Sequence, residues 1–388
     1  MTKELLFIDT SLDGVSLAFQ AALGDFKIVY SSPNEYVLSI IRKGKAPGVP
    51  RKTQLELISE ERISTATDVQ KAVGSHDIMV VTRDAHSLEG DSRTELNTLC
   101  KLVGSAVRRD SLIIYSGVSL PGTVESVVIE NLEKASGLQV GVDLDLAYVS
   151  PARGVNFIAE KSKLPGRAMG LASELWGGGS IVELDGIREA EAASILKLME
   201  DEALKAAAYE ALLLFEQLDV DVRKVFERVR ENVVPSAVRD PKTTGVIRYL
   251  TQGEGMVFRG TRFLHQVDRT IDAGASYGIA RLKDFIRDKS RDKRGKIKVF
   301  LAADTEDERR QILAGVGSRR CLTESYLTAD LVDKLQGDEQ MDLSERMSKA
   351  DAVILFSKHS ELREFALAKM SDRNVLFDFN MLQALPRR

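Results

Sequence analysis

The sequence predicts an α/β fold: a doubly wound parallel sheet, a long central helix with its helical surroundings, and a second, smaller α/β domain. Three observations carry that prediction. Roughly the first 150 residues alternate short apolar strands with amphipathic helices, the middle holds one helical pattern without Pro or Gly, and the C-terminal end returns to strand–helix alternation. A chain of 388 residues also exceeds what one ordinary core accommodates, so more than one domain is expected.

Taken in order, the predicted N-terminal strands are Leu5–Ile8, Phe26–Tyr30, Asp77–Thr82, Ser111–Tyr115 and Asp143–Val149. Helical periodicity lies between them at Val15–Ala22, Thr67–Val73, Ser92–Val107 and Val124–Ala135. From Ile187 to Leu218 one pattern runs on, and at 1.5 Å per residue it would span about 45–50 Å. Its second half, Ala206–Phe215, is apolar nearly all round, so it is expected to be buried on more than one side. A second copy of the chain and a core within one chain are both open as the covering surface. Helical signal continues through Val222–Val229, weakens across the Pro-, Gly- and Thr-containing stretch Val234–Gly260, and resumes up to Ile286. The charge run Arg287–Lys298 reads as a solvated linker, since its acids are interspersed among its bases. Strands Ile297–Ala302, Ala352–Phe356 and Val375–Phe379 and a helix from Glu306 make up the last domain. The expected organisation is therefore 1–184, a Rossmann-like domain; 185–286, a helical and dimerising region; 287–296, a linker; and 297–388, a smaller Rossmann-like domain.

Composition narrows the function classes. Apolar residues at 44%, charged residues at 29% and a net charge of -4 describe an ordinary globular protein with no global pull toward nucleic acid or acidic membrane. The sequence carries no apolar run of membrane-spanning length and no charged-then-apolar leader, so a cytoplasmic protein is expected. Cys100 and Cys321 lie far apart without C-x-x-C spacing, and His76, His86, His265 and His359 form no ligand cluster, so no metal site is expected.

The first strand runs into a turn and a helix, LFIDTSLDGV, where a dinucleotide-binding domain would place G-x-G-x-x-G. Here Asp9 and Ser11 stand at the first two glycine positions and only Gly14 remains. A pyrophosphate needs bare backbone and the positive end of the helix, and a carboxylate at Asp9 opposes it. Thr10 with Asp13 resembles a capping box, and Asp9 or Ser11 is a further candidate cap, so the turn reads as one closed by its own side chains.

Several collinear stretches carry a resemblance. SGVSLPGTVESVV (Ser116–Val128) is similar to S-T-V-x-P-G-T-x-E, and LDLAYVSPARG (Leu144–Gly154) to D-L-A-Y-S-P-E-R. IREAEAASILKLMED and LLFEQLDVDVRKVFE are similar to a central helix with an A-E start and an L-G-I-D-V finish, and DTEDER (Asp304–Arg309) to T-D-D-x-R. Together they resemble the UDP-glucose/GDP-mannose dehydrogenase family over almost the whole chain. The resemblance implies oxidation of a nucleotide-sugar C6 hydroxyl in two NAD-dependent steps through a covalent thiohemiacetal on a cysteine.

Carried over residue by residue, the family's functional groups are replaced. Its G-G-x-C-x-P-K-D segment corresponds to Gln252–Gln266, which has no cysteine. The S-T-V threonine falls on Val118, the S-P-E glutamate on Ala152, and the central helix lysine and asparagine on Ser194 and Leu198. A substrate-binding lysine falls on Ala302, while Arg309 is retained. The ribose-binding acid at the end of the second strand falls on Ser32; Ser31 and Ser32 with Arg42 or Lys43 offer an NADP 2′-phosphate alternative. The cofactor positions are thus at best the vestigial set Asp9, Ser11, Gly14 and Ser32, with NAD or NADP the cofactor if one binds.

Two functional readings result. The first is a non-catalytic homologue acting as a binding, scaffold or regulatory protein, a homodimer through Ile187–Leu218, associating with an active paralogous dehydrogenase or another enzyme of nucleotide-sugar or polysaccharide metabolism. The alternative is a divergent NAD(P)-dependent oxidoreductase without the cysteine-dependent second oxidation. A nucleic-acid role for the Arg287–Lys298 run has the least behind it.

Overall fold

The computed structural model describes residues 3–10, 12, 14–46, 49–84, 92–152, 154–176, 180–218, 262–293, 296–303 and, in shorter runs, much of 309–385. They form two compact units, the first reaching Glu200 and the second starting at Asp201.

The first unit is built on β1 (Lys3–Asp9), β2 (Phe26–Ser31), β3 (Ile63–Ala66), β4 (Ile78–Thr82), β5 (Leu112–Ser116), β6 (Asp145–Ala152), β7 (Val155–Lys161) and β8 (Ser180–Glu183), in the order β3-β2-β1-β4-β5-β6-β7-β8. Pairing is parallel from β3 to β6, antiparallel between β6 and β7, and parallel between β7 and β8. The chain winds outward from β1 to β3, then crosses back to β4 and winds the other way. The switch point therefore falls between β1 and β4, where doubly wound folds place ligands at the strand C-terminal ends. Its central strands β1, β4 and β5 carry near-continuous apolar runs because both faces are covered there. Leu5, Phe7 and Tyr30 pack on one face with Phe19 of α1 (Val15–Leu23); Leu6, Ile8 and Val81 pack on the other with Leu99 of α5 (Ser92–Gly104).

The remaining helices of this unit are α2 (Glu35–Arg42), α3 (Arg51–Ser59), α4 (Val69–Ser75), α6 (Glu130–Ser136) and α7 (Arg167–Leu175). The periodicity over Val124–Ala135 predicts a single α-helix, whereas the segment opens as a π-helix over Val124–Ile129 before α6. The helix expected at Ile187–Leu218 is α8 (Ile187–Gln217), whose first part belongs to the first unit and whose second part belongs to the other.

In the second unit α8 is joined by α9 (Arg262–Lys293), β9 (Ile297–Ala303), β10 (Cys321–Leu327), α10 (Gln340–Lys349), β11 (Ala352–Phe356), α11 (Ser360–Lys369), β12 (Val375–Asp378) and β13 (Gln383–Leu385). The sheet order is β10-β9-β11-β12-β13, parallel except for β13. Ala206 and Ala208 of α8 pack in one core with Val267 and Ile271 of α9 and Val299 of β9. Part of the apolar second half of α8 is thus covered within this chain. The charge run corrects an expectation: α9 continues through Lys293 rather than giving way to a linker at Arg287. Spacing explains it, since Arg287 pairs with Asp284 one turn earlier at 2.7 Å. The stretches Val222–Val229, Val234–Gly260 and most of Gln252–Gln266 lie outside the described residues, as do Ser11, Asp13 and residues 304–308 of the DTEDER stretch. Among the described residues no helix is long and apolar enough to cross a membrane.

Candidate functional site

The switch point gathers the C-terminal ends of β1, β2, β4, β5 and β6. Asp9 closes β1, sits opposite Thr82 of β4 in register, and is fully buried. Its Oδ2 accepts the Gly14 backbone N–H at 2.8 Å and the Tyr30 hydroxyl at 3.0 Å. The carboxylate therefore holds the amide that opens α1 and also tethers β2. The capping box is corrected here. Gly14 is the N-cap residue, and the Thr10 hydroxyl is buried without a hydrogen bond. Gly14 also lies hard against β4: a Cβ on it would come within 2.3 Å of Thr82 Oγ1.

At the end of β2 the two serines face inward. The Ser31 hydroxyl donates to the Ala66 carbonyl at 3.0 Å, and Ser32 Oγ accepts the Asn34 N–H at 3.0 Å. Arg42 donates to Thr65 Oγ1 at 2.9 Å and forms an ion pair with Glu35. Ser31 and Arg42, two of the groups matched to a 2′-phosphate, thus donate within the protein, Ser32 accepts there, and Lys43 is exposed.

Beyond β5 the loop Gly117–Thr123 crosses the ends of β4 and β6. Gly117 is forced by close approach, because a Cβ would meet the Arg83 carbonyl oxygen at 2.2 Å. Asp84 Oδ1 accepts the Val118 N–H at 2.8 Å, and the Tyr148 hydroxyl donates to the Gly117 carbonyl at 2.9 Å. Val118 then packs with Leu120 and with Ile195, Leu198 and Met199 of α8 as one apolar cluster. The positions matched to the family's threonine and asparagine therefore meet as packed hydrocarbon. Ser194, matched to the family's lysine, is fully buried and accepts a hydrogen bond from Ser150 at 2.5 Å. Ala152 ends β6, half-buried in its pairing with Val155 of β7. Lys197 pairs with Glu200 on its own helix at 3.6 Å.

One buried acidic side chain escaped the sequence reading. Glu191 is fully buried, its Oε2 accepting the Gly122 N–H at 2.6 Å and its Oε1 the Val124 N–H at 2.8 Å. It fixes the Pro121–Gly122–Thr123 turn to α8, with Gly122 in the left-handed region at φ 89°. The signal was available in the helix periodicity. Ile187, Ala190, Glu191, Ser194, Ile195 and Leu198 fall at one-face spacing, so an acid occupies a position the pattern reserves for the interior.

Neither cysteine is placed for covalent chemistry. Cys100 is buried in α5 with its thiol pushed up to about 12 by that burial, and Cys321 is buried on β10. Arg309 lies half-buried past the end of β9. Among the described residues no group of His, Cys, Asp and Glu is placed to hold a metal.

No protein-family model matches this sequence. In sequence it is similar to a GDP-mannose 6-dehydrogenase from Pseudomonas putida, 32% identical over 119 residues, which cover 28% of this chain and 27% of the relative. The match thus spans about a quarter of the length of the curated relatives. In structure the chain is similar to a UDP-glucose dehydrogenase from Pyrobaculum islandicum, with TM-score 0.67 and 15% identity over 97% of this chain and 94% of the other. It is also similar to a UDP-D-ManNAc dehydrogenase from Pyrococcus horikoshii, with TM-score 0.64 and 16% identity over 96% and 93%. The fold is that of the nucleotide-sugar dehydrogenases. Both the double winding of the first sheet and the smaller second sheet belong to that architecture.

Proposed function

We propose that this chain is a non-catalytic relative of the nucleotide-sugar dehydrogenases, a binding, scaffold or regulatory protein of nucleotide-sugar or polysaccharide metabolism. The single observation that carries the reading is the apolar cluster of Val118, Leu120, Ile195, Leu198 and Met199. A developing oxyanion needs preorganised donors, and that cluster presents methyl groups where the resemblance calls for a hydroxyl and an amide. The Asp9 turn adds to it. A dinucleotide pyrophosphate is opposed by a helix start whose Gly14 amide is held by a buried carboxylate, since the phosphates would meet that negative charge where the Gly14 N–H is already taken. Retention of the Pro121–Gly122–Thr123 turn has a structural cause in Glu191 and does not argue for chemistry.

Titration of the intact protein with NAD, NADP and a panel of UDP- and GDP-sugars, followed by calorimetry, tests the reading. No saturable heat is expected at up to millimolar dinucleotide, and saturable binding of NAD or NADP would overturn it.

The proposed assembly is a homodimer through α8. Leu204 and Leu214 are 40% and 51% exposed, and Ala207 lies exposed between them, at spacing that puts the three along one stripe. Ala206 and Ala208, on the two flanks of that stripe, are already covered in a core with Val267 and Ile271 of α9. Ala207→Glu should convert the protein from dimer to monomer in sedimentation velocity with its circular dichroism unchanged. An unaltered sedimentation coefficient would refute the interface.

A further inference from the structure

We infer that the corner between α2 and α3 is a docking surface for an anionic lipid bilayer, built as an exposed leucine ringed by lysine and arginine side chains. The inference goes beyond the proposed function and stands on other residues.

The charge there is local and unbalanced. Residues 42–52 include Arg42, Lys43, Lys45, Arg51 and Lys52 and no acid, in a chain whose net charge is -4. All five cations are exposed. Arg42 is engaged by Glu35 and Thr65. Lys43, Lys45 and Lys52 enter no ion pair among the described residues, although Glu56 stands one turn beyond Lys52 on α3.

The cations surround an apolar point. Leu55 is 44% exposed and lies against Gly44, where an added Cβ would come within 3.1 Å of Leu55 Cδ2. Lys43 and Lys45 flank Gly44 in the chain, and Arg51 and Lys52 precede Leu55 by one turn of α3. Tyr36 is exposed two turns before Lys43 on the same side of α2. The loop between the helices is held from inside. Gln54 is buried, accepts the Ala46 N–H at 2.9 Å and donates to the Ala46 and Val49 carbonyls at 2.7 and 2.6 Å. Ala46 and Val49 are buried with it, which leaves the cations outside. The amides of Lys43, Gly44 and Lys45 donate to the carbonyls of Ser39, Ile41 and Ile40.

These features select the partner. With those amides taken, the corner has no backbone donors there to pair with a peptide strand or to cradle a single phosphate. It offers ammonium groups, which act as point charges without a preferred fork geometry, around a leucine whose burial is favourable. A bilayer with acidic headgroups supplies both complements, negative charge at its surface and hydrocarbon beneath. A nucleic acid supplies the charge without an apolar layer for Leu55.

Co-sedimentation of the intact protein with vesicles tests this. Binding is expected to vesicles of equal parts phosphatidylglycerol and phosphatidylcholine at low salt, and it should fall as salt is raised. A cation at an acidic surface contributes about fivefold to partitioning, so the triple variant Lys43→Gln/Lys45→Gln/Lys52→Gln should bind about 100-fold more weakly. Leu55→Ser should bind several-fold more weakly and keep its preference for the acidic lipid. All four substituted side chains are exposed, and the salt dependence reads the cations in the parent protein without any substitution. No binding to the acidic vesicles, equal binding to pure phosphatidylcholine, or a triple variant that binds like the parent would overturn the inference. So would a Leu55→Ser variant that binds like the parent, or a DNA duplex that the protein prefers to the vesicles, since either outcome reassigns the corner to polyanions in general. Dinucleotide binding would overturn the proposed function and leave this result untouched, so the two failures are distinguishable.

Discussion

Gly117→Ala is expected to destabilise the first unit by about 3 kcal/mol or more, because the added methyl meets backbone on a side that cannot yield. A Cβ at this position would lie 2.2 Å from the Arg83 carbonyl oxygen, 2.8 Å from its carbon and 3.2 Å from the Asp84 nitrogen. None of these is the flexible end of a side chain. Relief requires the ends of β4 and β5 to separate, yet Arg83 N–H donates to the Ser116 carbonyl at 3.1 Å and Gly117 N–H to the Val149 carbonyl at 3.3 Å. Separation would also loosen the Val118 amide from Asp84 and the Tyr148 hydroxyl from Gly117. The readout is favourable: the chain has one tryptophan, and Trp176 is buried in the core of the first unit. Its fluorescence in urea should show a lowered midpoint for the variant with the slope unchanged. A midpoint equal to that of the parent protein would mean that the β4–β5 crossing is not close-packed as described.

The residues that made the fold legible are those whose burial is local in cause. Leu-Ile-Ile-Tyr at β5 and Met-Val-Val at β4 are apolar on both faces because both faces are covered, so composition alone reveals them. By contrast, β7 and β8 carry half-exposed side chains at the sheet's far edge, where the strand signal is weak. Neither was assigned, and α2 and α3, on either side of the Gly- and Pro-containing stretch 44–50, were missed with them. The charge run misled for a related reason. Its apparent solvation is compatible with a helix, whose outer face is satisfied by pairs one turn apart such as Arg287 with Asp284.

The candidate site was legible as a set of substitutions and illegible as a set of contacts. Asp9 can be recognised as an acid in a glycine's place, but nothing local says that Tyr30, on another strand, donates to it. Likewise Val118 and Leu198 each read as a missing polar group. That they pack together with Leu120 and Ile195 emerges only when the loop after β5 is laid on α8. Glu191 is the instructive case. Its neighbours in the helix pattern are apolar or small, and an acid among them has to find buried donors; the turn supplies two backbone amides.

Asp9→Ala should cost about 2–4 kcal/mol, since it removes the Oδ2 acceptor of two buried donors at once and each such loss costs about 1–3 kcal/mol. Gly14 N–H and the Tyr30 hydroxyl both lose their Oδ2 acceptor. Tyr30 is fully buried and stacks on Phe7 with ring centroids 6.2 Å apart, so its hydroxyl cannot turn to solvent without disturbing the core. The Gly14 amide is confined as well, with Thr82 pressed against its Cα. A double-mutant cycle separates the two contributions. Tyr30→Phe alone removes a donor and leaves Asp9 its bond to Gly14, so a loss of about 1 kcal/mol is expected. In the Asp9→Ala background the same change removes a hydroxyl that has already lost this acceptor, so it should cost less than in the parent protein. Urea denaturation followed at Trp176 measures all four corners. Additive losses would mean that the carboxylate does not join β2 to the start of α1, and the picture of a turn closed by its own side chain would fall with it.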